Sequence, residues 1–169
     1  MNVIPVVDAL DLPDGPGAYL LAVEVVRPMS LEIAGRWWDV PEGRYLYAGS
    51  AKGPGGIRAR AGHHRAAAKV VHWHIDRLTN AFGVALIVAL PEGDECAALR
   101  FVLEGAVVPV PGFGASDCRV CPAHLVQVDV SLDAMAAGDW PVRLARAAGA
   151  AGAIIWRSPP VACFWSPPA

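Results

Sequence analysis

No stretch of this 169-residue chain approaches the roughly 18 uncharged apolar residues needed to cross a bilayer, because proline, glycine, aspartate or arginine interrupts every candidate. Charge is scarce as well. Only 18% of residues are charged against 54% hydrophobic, and mean hydropathy is +0.38, a composition that can bury a core and excludes an intrinsically disordered chain. Four cysteines, Cys96, Cys118, Cys121 and Cys163, are too few to staple a chain of this length and suit a reducing compartment. The segment from Met1 to Asp11 carries acids where a secretion signal carries bases. The expectation is a soluble, cytoplasmic protein with no membrane partner.

A more telling absence is local. From Gly43 to Ile75 there is no Asp or Glu, while Arg44, Lys52, Arg58, Arg60, Arg65 and Lys69 give the segment +6 and the remainder carries −8. Four of the five histidines, His63, His64, His72 and His74, fall in the same segment. A positive zone on an acidic body suits a phosphate-binding face, and the plainer alternative is a solvated helix face beside a core.

The pattern predicts strands first and then mixed helices and strands, the order of an α+β domain with a small central, largely antiparallel sheet flanked by helices. Strands are expected over Gly17–Val26, Arg44–Ala48, Phe82–Leu90 and Leu125–Val130, with a short strand over Val107–Val110 and a hairpin from Ser30–Ile33 and Trp37–Val40. Helices are expected over Ile57–Ala68, Val70–Asn80, Glu95–Glu104 behind an Asp94 cap, and Ser131–Ala148 with an interruption at Gly138–Pro141. Residues 1–148 form one domain in this reading, and 149–169 an edge-covering tail without a period.

The motifs Gly17-Ala18-Tyr19 and Tyr47-Ala48-Gly49 are each weak alone. In company with Arg60 and His64, four apart and so on one helix face, the ordered set resembles the GIY-YIG nuclease superfamily. It also resembles a branch sometimes joined to endonuclease-III-type DNA glycosylases, through Tyr45-Leu46-Tyr47-Ala48-Gly49-Ser50-Ala51, Trp73-His74-Ile75-Asp76, Glu95-Cys96 and the loop Pro111 to Cys118. The resemblance covers Gly15 to Leu125. It implies a GIY-YIG-like fold and metal-dependent hydrolysis of phosphodiester bonds in structured or damaged DNA, with Mg²⁺ (or Mn²⁺) as cofactor and a DNA-repair glycosylase as a candidate partner.

In that implied site Tyr19 and Tyr47 activate or orient water, Arg60 holds the scissile phosphate and His64 stands where the family has Tyr or His. Gly49, Ser50, Lys52, Arg58, His63 and Arg65 contact substrate. His74, Asp76 and Asp117 support the site from behind, with His74 bonded to Asp76 or Asp117. The wider superfamily sets its metal-binding Glu inside the helix at a position that falls here on Arg100, which cannot bind Mg²⁺. Glu95 is the first substitute and Glu104 the second. Because of that gap, a noncatalytic nucleic-acid-binding or repair-accessory domain stands as the alternative function.

Two other constellations bear on chemistry. Cys118, Cys121 and His124 have the spacing of a structural Zn²⁺ knuckle, yet a fourth ligand is missing nearby and Cys96 or Cys163 could join only through the fold, so small buried thiols are the default. Gly53-Pro54-Gly55-Gly56 lacks the Gly-Lys-Ser/Thr ending of a nucleotide loop. Its expected use is to bring backbone N–H groups near a nucleic-acid phosphate.

Overall fold

The computed structural model describes residues 5–159. Strand β1 (Gly17–Val25) runs through the middle of a five-stranded sheet, between β4 (Gly43–Ala51) and β5 (Leu86–Pro91). The edges are β6 (Leu125–Val128), beside β4, and β7 (Ile154–Arg157), beside β5, and every pairing is antiparallel. A separate hairpin joins β2 (Met29–Ile33) to β3 (Arg36–Val40). Its two turn residues, Ala34 and Gly35, have φ of 51° and 76°, the type I′ geometry whose twist suits a two-residue hairpin.

Both faces of the sheet are covered, which is why β1 and β5 read as nearly continuous apolar runs. Tyr19, Leu21, Val23, Tyr45, Tyr47 and Ile87 point to one face, in a core shared with Ile57 of α1 (Gly56–Arg65) and with Ile75 and Leu78 of α2 (His74–Phe82). Ala18, Leu20, Ala22, Leu46 and Val88 point to the other. There they meet Leu99 of α3 (Glu95–Leu103), Met135 of α4 (Leu132–Ala136) and Leu144 of α5 (Trp140–Ala147). The fold is α+β, as the sequence pattern predicts.

Several boundaries differ, each for a local reason. Val70–Trp73 is not helical: the Asp76 carboxylate accepts the N–H groups of both His72 and Trp73 at 2.9 Å, so α2 starts only at His74. Phe82 closes α2 instead of opening a strand, and Val107 makes only an isolated bridge to Gln127. The stretch assigned to a tail contains β7, whose Ile155 is fully buried in the second core. An aperiodic-looking run can be an edge strand when a central neighbour, here β5, supplies its register. Asp94 does cap α3, accepting the Ala97 N–H at 2.8 Å.

The start of β1 and the ends of β4 and β5 lie at the same end of the sheet, since Gly17 pairs with both Ala51 and Pro91. The N-terminus of α3 follows β5 there, and the His124 carbonyl accepts the Ala48 N–H at 2.9 Å, bringing the 111–124 loop to the same end.

Candidate functional site

At that end a cavity of about 280 Å³ opens, and Tyr19, Tyr47, Arg60, His74, Glu95 and Asp117 all contribute to its wall. Gly49 and Ser50 line it as well. Tyr19 and Tyr47 arrive from neighbouring strands on one face, Tyr19 paired with Gly49 and Tyr47 with Leu21. Gly49 has no alternative: a Cβ there would run into the Tyr19 ring and hydroxyl. Gly114, at φ of 68°, lies against the other phenol, where a Cβ would sit 2.7 Å from the Tyr47 ring.

Behind the tyrosines runs a chain of hydrogen bonds. His64, 1% exposed, has Nε2 2.9 Å from the Tyr19 hydroxyl and Nδ1 3.1 Å from Asp76 Oδ1. A carboxylate only accepts, so Nδ1 carries the proton and Nε2 accepts from the Tyr19 O–H. Burial holds the His64 pKa down at about 4, only partly offset by Asp76, so the ring is neutral at neutral pH. For Asp76, burial pushes upward, but the amides of Trp73 and His72 and the rings of His63 and His64 outweigh it and hold the carboxyl at about 2. Burial raises both phenols, Tyr47 to about 12 and Tyr19 further still, and both are protonated at neutral pH.

Arg60 of α1 lies with its guanidinium carbon 4.2 Å from the centre of the Trp73 ring, which fixes the plane of the fork. Glu95 is the first residue of α3, and its Oε2 is buried with no hydrogen-bond partner. A buried, unpaired carboxylate oxygen is costly, and it is the kind of atom a divalent cation satisfies. Glu104, just past the far end of α3, lines a different cleft with Arg100, so the second candidate carboxylate is excluded from this site.

Other expectations need correction. His74 does not pair with Asp76 or Asp117; its Nδ1 accepts the Gly114 N–H at 3.1 Å, holding the 111–124 loop, because Asp76 is already engaged by His63, His64 and two amides. Arg58 donates to the Leu12 carbonyl at 2.7 Å, and Arg65 stacks on Trp156 beside a separate cleft. Lys52 is exposed and outside the cavity wall. Arg44 pairs with Glu24 at the opposite end of β4, and Lys69 holds the His64 and Ala66 carbonyls. The basic zone of the sequence is thus largely spent on structure. The start of α1 is engaged too: the N–H groups of Gly56, Ile57 and Arg58 donate to the carbonyls of Gly53, Gly15 and Pro13, so these three amides are not free for a phosphate. A cleft of about 970 Å³ between Arg65, Phe82 and Trp156 is larger, but it holds no acid, tyrosine or histidine.

Beside the cavity, Cys96, Cys118, Cys121 and His124 place their ligand atoms within 4.8 Å of one another, a group that could hold a metal ion. The missing ligand is Cys96, brought across from α3; Cys163 lies outside the described residues. The Val120 amide, with His124 and the Cys121 amide, holds the Cys118 thiol down at about 6, while burial and the neighbouring thiols raise Cys96.

Sequence reasoning missed Trp73 as the platform for Arg60, Gly114 as the floor under Tyr47, and the link from His64 to Asp76. The first was quoted within a motif without a role; the last joins two helices and leaves no spacing signal.

Among the described residues no helix is long and apolar enough to cross a membrane. No curated protein and no solved structure gives a significant match. A family model described as "Domain of unknown function DUF123" matches residues 18–138, a span that contains every cavity residue from Tyr19 to His124, and the chain belongs to that family.

Proposed function

We propose that the chain is a nuclease of the GIY-YIG type that hydrolyses phosphodiester bonds in DNA with the help of Mg²⁺ or Mn²⁺. The observation that carries this reading is the meeting, in one small cavity, of two strand tyrosines, a stacked arginine and a carboxylate with an unpartnered buried oxygen. Arg60 offers two parallel N–H donors to the oxygens of a scissile phosphate, where negative charge grows as phosphorus becomes five-coordinate. The Tyr19 hydroxyl donates to His64, leaving its oxygen lone pairs to accept from a water on the cavity side. As that water attacks phosphorus, its proton passes to Tyr19 Oη while the Tyr19 proton passes to His64 Nε2, and Asp76 stabilises the imidazolium that forms. Tyr47, held protonated, donates to a nearby phosphate oxygen. Glu95 would hold the cation, whose chemistry is Lewis-acid stabilisation of the oxygen leaving phosphorus.

The test is Mg²⁺-dependent nicking of branched, nicked and single-stranded DNA. Wild-type cleavage that is lost in Arg60→Ala and Glu95→Gln but kept in Glu104→Gln supports the enzyme. DNA binding without cleavage of any of these substrates replaces it by the noncatalytic repair-accessory reading.

A further inference from the structure

We infer that Cys96, Cys118, Cys121 and His124 hold one tetrahedral Zn²⁺ ion that fastens the 111–124 loop to the first turn of α3. Zinc with Zn–S near 2.3 Å and Zn–N near 2.0 Å sets sulfur–sulfur separations of about 3.8 Å and sulfur–nitrogen separations of about 3.5 Å in a tetrahedron. Here Cys96 Sγ is 3.6 Å from Cys118 Sγ and 4.0 Å from His124 Nε2. A disulfide would need the sulfurs near 2.05 Å. All four donor atoms lie within 4.8 Å of one another, room for a single ion and not for an iron–sulfur cluster, and three thiolates with one imidazole are a set that selects zinc.

Three thiolates and one imidazole around Zn²⁺ leave one net negative charge. Binding releases the thiol protons to solvent.

The position gives the ion a consequence. Cys96 directly follows Glu95, while Cys118 and His124 line the cavity, so the metal fixes where the α3 start and the loop meet. That consequence rests on the proposed nuclease; the metal site does not.

The experiment is metal analysis of the full chain purified under reducing conditions without chelator, followed by exchange with Co²⁺. About one zinc per chain, released by a mercurial thiol reagent, and a Co²⁺ form with tetrahedral ligand-field bands and thiolate charge-transfer absorption are expected. Cys118→Ser and Cys121→Ser should each bind less than half as much zinc; if they do not fold, the wild-type Co²⁺ spectrum decides. A zinc-free folded chain, a Co²⁺ spectrum without thiolate charge transfer, or a Cys96–Cys118 disulfide by mass spectrometry overturns the inference. None of these readouts involves DNA cleavage, so this inference and the nuclease reading fail separately.

Discussion

The Tyr19 hydroxyl donates to His64 Nε2 across 2.9 Å, joining the middle strand of the sheet to α1 and, through Asp76, to α2. One buried imidazole therefore orients a phenol in the cavity and ties three elements together. Its removal should be felt both in chemistry and in folding.

His64→Gln keeps a hydrogen-bond acceptor for Tyr19 but cannot take its proton. We expect kcat for DNA cleavage to fall about 10²-fold, within the usual range for a proton-transfer group, with KM changed less than threefold. The acid limb of the wild-type rate profile, set by a ring held at about 4, should also disappear. Stopped-time cleavage assays across pH check both; an equal fall in DNA affinity would mean that His64 only supports the fold.

Acid should unfold the protein in two stages. His64 titrates at about 4 when folded against an ordinary value of 6.5. Between those values the unfolded chain binds a proton that the native one refuses. Stability is complete above pH 6.5 and declines as pH falls towards 4, by up to about 3 kcal/mol. Asp76, held at about 2, contributes stability above the ordinary carboxyl range that is lost as pH falls further. Urea midpoints at pH 7.5, 5.5 and 4.5 measure the first stage, and His64→Gln should flatten it.

Arg60→Lys keeps the charge and loses the fork, and Trp73→Leu keeps the fork and loses the ring beneath it. Cleavage should drop about 10²-fold in the first and about tenfold in the second, because a point charge cannot grip two phosphate oxygens in parallel. Equal activity of Arg60→Lys and wild type would rule out bidentate contact.

Gly49→Ala places a methyl group where the Tyr19 phenol lies. Overpacking of this kind costs about 1–3 kcal/mol, visible as a lower Tm, and cleavage should be abolished as the ring is pushed out. Unchanged Tm and activity would show that Tyr19 has another place to go.

Ala34 sits at φ of 51° in the β2–β3 turn, where glycine or asparagine is at home. Ala34→Gly should stabilise the chain by about 0.5–1 kcal/mol in chemical denaturation without touching the cavity, because the left-handed conformation costs alanine about 1 kcal/mol. A destabilised variant would refute the turn assignment.

Much of the sheet is legible in the sequence because covered strands betray themselves by unbroken apolar runs, as in Leu20–Val23 and Leu86–Leu90. Asp94 is equally plain as a cap. β7 is hidden among alanines and glycines, since an edge strand of four residues borrows its register from β5. Tyr19, Tyr47, Arg60 and Glu95 could be gathered from ordered motifs, and they share one cavity. The basic segment misled for a physical reason: charge counts do not reveal that Arg44, Arg58 and Lys69 are engaged by Glu24 and by backbone carbonyls. Cys96 reaches Cys118, Cys121 and His124, with which it could hold a metal ion, only because α3 and the loop converge on one sheet end, a long-range contact that no local spacing encodes.

The antiparallel pairing that sets Tyr19 against Gly49 and Tyr47 against Leu21 makes the tolerance of this fold to length changes uneven. Surface connections between elements absorb length changes locally, whereas inserting a single residue between Tyr47 and Gly49 would send one of the two to the opposite side of the sheet. The spacing within Tyr47-Ala48-Gly49 therefore acts as a ruler, keeping the Tyr47 ring and the gap that admits the Tyr19 ring on one side of the sheet.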